Sequence, residues 1–342
     1  MKVFLLSLLA LSVLFADSLS IIAVGDIMMG TTYPQMRLPP DDGKDIFKEV
    51  QSILSSADLT LGNLEGPLTD RGNCTKIIEK GRCYAFKTPP HYAQYLSGAG
   101  FDFMNLKNNH TNDFGPEGIA STIEALKGMG IDFGTDKKNG EFFVKNRKVG
   151  IICFSAADWG NSIFDIHGAQ KKVAELARKF DIVIVSFHGG GEGTAFLHTM
   201  DTFEYFMGWP RGNVVKFAHA VIDSGADFVW GHGPHVPRAL ELYKNRLIAY
   251  SLGNFFTWGF NLNDERGYAP ILKVVLDSTG VFKWGQVFSA IQRTLSLLKL
   301  DSLHNAAKLI KRLTKEDFPD TPLEITGTGL VLPINRLDAK GD

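Results

Sequence analysis

The chain reads as an α/β protein. Short apolar strands alternate with amphipathic helices over most of its length, and Gly, Asp or Asn bound those strands. Polar side chains recur just where the strands end. The strand-like segments are SIIAVGD (20–26), ADLTLGN (57–63), FDFMNLK (101–107), KVGIICFSA (148–156), DIVIVSFH (181–188), ADFVWGH (226–232) and LIAYSLGN (247–254). Each is a short run rich in branched and aromatic residues, as strands are. Between them, apolar residues recur at spacings of three and four, the signature of a helix with one buried face. One such helix holds Ile46, Phe47, Val50, Ile53 and Leu54; another opens at Pro116 and holds Ile119, Ile123, Leu126 and Met129. Strands alternating with helices predict a sheet with helices packed outside it.

After Asn254 the pattern changes. APILKVVLDS and VFKWGQVFSA predict two antiparallel strands around Ser278-Thr279-Gly280, then a helix from about Ser302 to Lys315 and a last strand in LEITGTGLVLP. Since no Pro/Ser-rich linker intervenes, the expected organisation is a main domain over residues 20–290 with a C-terminal extension, 291–342, packed on it.

Lys2, the apolar run Val3 to Phe15 and then Ala16-Asp17-Ser18 have the layout of an export signal. The run is shorter than the ~20 residues a spanning helix requires. Residues 1–16 are therefore set apart as a signal peptide, and the protein is expected outside the cytoplasm; an uncleaved anchor or a buried first strand is the competing reading. Cys74 and Cys83 flank the polar stretch GNCTKIIEKGRC, where an oxidising compartment favours a disulfide. Their spacing fits no common zinc pattern. Cys153, inside an apolar strand, reads as a small core residue. With 36 basic and 37 acidic residues the chain has no basic surface for nucleic acid.

In open α/β sheets ligands gather at the carboxyl ends of strands. Here those ends carry Asp26, then Asn63 and Glu65, then Asn108-Asn109-His110 with Asp113 close behind, then His188, then His232 and His235, then Asn254. Singly, each has a plain reading as a turn, cap or packed residue. Together, four of the nine histidines fall at strand ends with two acids, which points to a metal site. Carboxylate and amide oxygens mixed with imidazole suit Mn, Fe or Zn, as one or two ions. On this reading Asp26, Glu65, Asn109, His188, His232 and His235 are the ligands, Glu65 bridges, and His110 is the general acid or charge stabiliser. Two ions ~3.5–4 Å apart activate a water and steady a leaving oxygen.

The segment Gly189-Gly190-Gly191-Glu192-Gly193-Thr194 lacks the Lys-Ser/Thr of a phosphate-binding loop. It reads as a loop beside the site, with Glu192 as a catalytic or substrate-contacting acid. Phe203, Tyr205, Phe206, Trp209 and Arg211 either wall the cleft or pack ordinarily.

The motifs GDIMMG, GNLEGPLT, NNHTNDFGPEG, FHGG, GHGPHV and IAYSLGNF, in this order from about Ile21 to Phe256, resemble the bacterial capsule-synthesis CapA family. The resemblance implies a four-layer α/β-β/α sandwich like that of calcineurin-like metallophosphatases, and a link to poly-γ-glutamate biosynthesis. It matches Asp26 to the opening aspartate ligand, Glu65 to the bridging acid, Asn109-His110 to the Asn-His pair, and His188 and His235 to the later histidines. Met28 stands where metallophosphatases place a histidine ligand, and His232-Gly233-Pro234-His235 stands where many relatives have His-Pro-His. The expected function is a metal-dependent hydrolase-type envelope protein acting on a phosphoester or an amide, with an anionic polymer or a small substrate and envelope capsule machinery as partners. The competing reading is a non-catalytic binder of an anionic polymer on a relict metal site.

Overall fold

The computed structural model describes residues 18–77 and 84–334. The signal segment and Cys83, with any bond it makes to Cys74, lie outside the described residues. The strands run in chain order as β1 Leu19–Met28, β2 Leu59–Leu64, β3 Phe103–Asn105, β4 Asp132–Gly134, β5 Gly140–Val144, β6 Arg147–Ser155, β7 Ile182–His188, β8 Glu204–Phe206, β9 Trp209–Gly212, β10 Phe228–His232, β11 Leu240–Tyr243, β12 Arg246–Ala249, β13 Asn254–Thr257, β14 Tyr268–Leu276, β15 Phe282–Ile291, β16 Lys299–Leu300, β17 Leu323–Ile325 and β18 Leu330–Pro333.

Two sheets lie face to face. The ten-stranded sheet runs β17-β18-β15-β14-β1-β2-β3-β4, with β13 also paired to β1 and β16 to β15; the six-stranded sheet runs β11-β12-β10-β7-β6-β5. Leu61, Phe103, Ile151, Ile184, Trp230 and Leu272 fill the space between them. Ile22, Val24 and Met104 on the outer face of the first sheet pack against Phe47, Val50, Leu96 and Leu126. The outer face of the second carries the helices Ile166–Ala177 and Val214–Asp223 through Val173, Leu176, Phe217 and Val221. This is the expected four-layer α/β-β/α sandwich. It explains why β7 reads as an unbroken apolar run: all seven of its residues are buried, covered on both faces. Cys153 sits in the inter-sheet core, as expected.

Three local readings are corrected. The segment from Ile46 to Leu54 is α-helical only over Gln51–Leu54. Before that it winds through i→i+3 bonds, such as Val50 N to Phe47 O at 3.0 Å, which keep the same apolar residues facing the sheet. LIAYSLGN is two strands, because the chain leaves the second sheet after β12 and joins the first at β13. LEITGTGLVLP is a hairpin, β17 and β18, on the edge of the first sheet. The C-terminal helix Asn305–Asp317 inserts Ala307 and Ile310 between the sheets, so the C-terminal elaboration is built onto the sandwich. No helix among the described residues is long and apolar enough to cross a membrane.

The sheets meet closely at the ends that matter. Trp230 Nε1 donates to Val24 O at 2.9 Å, tying β10 to β1. A Cβ on Gly25 would fall 1.9 Å from Gly253 O, so only glycine lets β1 and the turn before β13 approach. Gly25→Ala is expected to lower unfolding stability by about 3 kcal/mol through backbone overpacking. Gly98→Ala, in the helix Ala93–Ala99 where a Cβ meets nothing within 4 Å, is expected to stabilise by about 0.5–1 kcal/mol. Paired urea denaturation curves check both signs.

Candidate metal centre

The carboxyl ends of β1, β2, β7, β10 and the start of β13 converge where the two sheets meet. At Asp26 the register of β1 shifts against both β2 and β13, a bulge that re-aims the side chain. Gly233 (φ 107°) lets the chain turn sharply after β10, and His235 then takes a φ of 60°, uncommon for a residue with a side chain. That turn folds the imidazole of His235 back onto Asp26.

Two groups of donors result, and Asp26 belongs to both. Asp26, His188 and His232 form one; Asp26, Glu65 and His235 form the other, and in each the donor atoms lie within 4.8 Å of one another. In the first, His232 Nδ1 is 3.8 Å from Asp26 Oδ1 and 3.1 Å from His188 Nδ1. In the second, His235 Nδ1 is 3.1 Å from Asp26 Oδ2 while its Nε2 is 3.7 Å from Glu65 Oε1. Glu65, expected to bridge, lies in one group only. The carboxylate common to both is Asp26, because β1 is central in its sheet and faces donors from β2 and β10 alike. His232, placed beside Asp26, supplies a second buried imidazole. Met28 faces the cleft, its sulfur accepting from Gly30 N at 3.3 Å.

The electrostatics fit a cation. Both carboxylate oxygens of Glu65 and Nε2 of His188 are buried without a hydrogen-bond partner among the described residues. Unmet polar atoms are costly in a protein interior, and here they face one another at 3.8 Å. Burial drives the Glu65 carboxyl well above the usual carboxylate range. Burial likewise holds His188 well below the ordinary imidazole value and His232 down at about 4, so both are neutral and free to ligate. Burial opposes charge on His235 too, but the Glu65 and Asp26 carboxylates override it and push the ring up to about 10. Asp26 stays ionised despite its burial, held low chiefly by His235. Burial disfavours charge on Glu65 while Asp26 and His235 pair with each other, and divalent cations at this point would offset the cost of the buried carboxylates. A donor set of carboxylate oxygen and neutral imidazole is that of Mn, Fe or Zn.

The remaining residues fall around this floor. A cleft of ≈ 1040 Å³ reaches down to His110, Glu192, His235 and Asn254. His110 is brought to its wall, with Nδ1 2.9 Å from Asp113 Oδ2; Lys76 Nζ holds the other Asp113 oxygen at 2.6 Å. Asn109 is exposed and lines the cleft. Its neighbour Asn108 turns inward and donates to Asn63 Oδ1 at 3.1 Å. Glu192 is 3.9 Å from His235 Nε2 and 3.2 Å from Arg211 Nη2. Of the aromatic stretch, Phe206 lines the cleft while Phe203, Tyr205 and Trp209 are exposed, neither walling it nor packing in a core. Phe86, 4.4 Å from His110, and Phe260, 5.6 Å from His235, lie 5.5 Å apart above the two rings.

Two supporting residues, Asn63 and Asn254, were read at strand ends but given no role, and two more, Asn105 and Ser186, went unread in the sequence. Asn63 donates to Asp26 Oδ1 at 2.8 Å, Asn105 and Ser186 hold His232 Nε2 at 2.8 and 2.9 Å, and Asn254 Oδ1 meets His235 Nδ1 at 3.0 Å. Asn63 and Asn254 stand directly after glycines at strand ends, a signal that was present. Ser186 lies within an apolar strand and gave none.

Residues 20–257 match the family described as bacterial capsule synthesis protein PGA_cap. The chain belongs to this family. Among similar proteins, capsule biosynthesis protein CapA of Bacillus anthracis is 28% identical over 250 residues, 70% of this chain and 60% of that protein. PGA biosynthesis protein CapA of Bacillus subtilis (strain 168) is 26% identical over 319 residues, 88% of this chain and 79% of that one. The chain thus spans less than two thirds of the Bacillus anthracis protein. Among solved structures, a hypothetical protein from Thermus thermophilus aligns at TM-score 0.49 and 16% identity, covering 79% of this chain and 99% of that one. The calcineurin-like phosphoesterase YfkN from Bacillus subtilis aligns at TM-score 0.42 and 14% identity, covering 88% and 98%.

The shared position of Asp26 sets a stoichiometric expectation. Protein dialysed against Mn²⁺ is expected to lose all bound metal in Asp26→Ala, and, where the wild type holds two ions, to keep one in His232→Ala or His235→Ala. Elemental analysis of the dialysed proteins checks this, with unchanged metal in Asp26→Ala counting against the centre.

Proposed function

We propose that this PGA_cap-family chain is an exported envelope protein that hydrolyses a phosphoester or amide bond at a centre of one or two Mn, Fe or Zn ions, in capsule or poly-γ-glutamate biosynthesis or processing. The observation that carries the reading is the pair of donor groups sharing Asp26, floored by the unmet Glu65 and His188 atoms beneath an open cleft. When bound, the ions supply Lewis acidity to the scissile group and ease deprotonation of a water.

The chain's own residues supply the rest. Asn63 and the Gly233 N–H fix the two oxygens of Asp26, at 2.8 and 3.3 Å. Asn105 and Ser186 engage Nε2 of His232, which leaves its Nδ1 for the centre. His110 is fixed at Nδ1 by Asp113, leaving Nε2 to take up a proton and pass it to the leaving group, or to hold it against charge developing there. Burial keeps this ring below the ordinary imidazole value against the pull of Asp113. Phe86 and Phe260 give the cleft an apolar flank beside the His110 and His235 rings. The signal-like N-terminus supports export, and the family supports work alongside envelope capsule machinery.

Mn²⁺-loaded protein is expected to hydrolyse either bis(p-nitrophenyl) phosphate or γ-glutamyl-p-nitroanilide, and chelation to stop it. His110→Gln is expected to lower kcat about 10²–10⁴-fold with metal content unchanged. Turnover of neither probe by metal-loaded wild type would leave the polymer-binding reading in place of this one.

A further inference from the structure

Beside the centre, the Glu192 carboxylate lies between a buried guanidinium and an imidazole of the centre. Arg211 is buried in β9, its Nε donating to Gly190 O at 2.7 Å. Its Nη2 forms no aligned hydrogen bond among the described residues, and the nearest anion is Glu192 Oε1 at 3.2 Å. The other oxygen of Glu192 lies 3.9 Å from His235 Nε2. One carboxylate therefore spans a buried guanidinium and an imidazole of the centre. It does so from the cleft side, and Glu192 itself lines the cleft.

The loop beneath Glu192 is fixed. Gly189 N donates to His232 O at 3.0 Å, Gly190 N to Arg211 O at 2.8 Å, Gly191 N to Glu204 Oε2 at 2.5 Å and Gly193 N to Pro234 O at 2.8 Å. Glu204 is in turn gripped by both terminal nitrogens of the buried Arg238, at 2.9 and 2.8 Å. With its neighbours pinned, Glu192 can leave Arg211 by side-chain rotation alone. Its side chain is 21% exposed, so water is at hand to receive it.

We infer that Arg211 and His235 frame a subsite for the oxyanion of the substrate, phosphate or carboxylate, and that Glu192 occupies it in the free protein until the substrate displaces it. The inference rests on the reading of this cluster as the substrate site and names what the substrate brings. Arg211 is then a binding residue, matched by its planar fork to an oxyanion. Glu192 is an internal competitor that keeps this guanidinium neutralised between substrates.

Calorimetric titration of the full chain, Mn²⁺-saturated and chelator-treated, with inorganic phosphate and in a parallel arm with glutarate, tests it. Glu192→Gln keeps the shape and removes the charge, and is expected to tighten anion binding about tenfold, the factor a charge-assisted contact commonly carries. Arg211→Lys is expected to weaken it about tenfold, since the fork is lost. The arm that responds identifies the anion. Unchanged or weaker binding by Glu192→Gln in both arms overturns the inference, whatever Arg211→Lys does. Tighter binding in a protein that hydrolyses neither chromogenic probe sustains the subsite while removing the hydrolase reading. Hydrolysis together with weaker binding by Glu192→Gln does the reverse.

Discussion

A fully buried carboxylate at the end of a central strand sets the terms for everything around it. Asp26 has no access to water, yet its carboxyl remains ionised because Asn63, the Gly233 N–H and His235 stand within hydrogen-bond reach. An ion buried this deeply is tolerated only when paired and hydrogen-bonded. The partners come from β2, from the turn after β10 and, through Asn254, from β13. The site therefore forms only when both sheets are in place, and the pairing of Trp230 with Val24 across the sandwich belongs to the same requirement.

That requirement explains a pattern visible along the chain. Gly25, Gly62, Gly231 and Gly253 each precede a polar site residue: Asp26, Asn63, His232 and Asn254. At Gly25 and Gly231 a Cβ would fall 1.9 Å from Gly253 O and 2.4 Å from Tyr250 O. At Gly25, Gly231 and Gly253 the missing Cβ lets backbone lie against backbone, and at Gly62 it makes room for the side chains of Ile27 and Met104, so that the following side chains reach one point. Flexibility is not their purpose here, since the segments they join are among the most buried of the molecule. The motif unit is thus a pair, a residue that removes bulk followed by one that supplies chemistry.

The layers and most strands were legible because strands buried on both faces leave continuous apolar runs, as in β6 and β7. The convergence of Asp26, Glu65, His188, His232 and His235 was legible from their place at strand ends. Which acid is shared between the donor groups was not, since that depends on which strand is central and how a bulge turns Asp26. The inward amide of the Asn108-Asn109 pair was equally hidden: neighbours in a loop point opposite ways, and spacing alone does not say which faces in. Short elements such as β4, β8 and β16 carry too few residues for a period to show. The turn-rich path from Ile46 to Val50 mimicked a helix because i→i+3 winding repeats nearly the same apolar spacing.

The centre also divides its labour between rigid and movable parts. Asp26, Glu65, His188 and His232 are sealed and held by strands, so their geometry is given in advance and no ordering is left for a ligand to bring about. His110, His235 and Glu192 stand at the boundary with the cleft, where a substrate can reach them. The buried Glu204–Arg238 pair lies behind that boundary and touches no part of the cleft. Such a pair is weak evidence for stability, because removing two charges from water costs about as much as their contact returns. Its geometry instead fixes the position of one glycine backbone, at Gly191, the residue before Glu192. Fixing the backbone on either side of Glu192 confines its motion to the side chain, and a single rotation can then exchange an internal carboxylate for an external one without disturbing the ligands below.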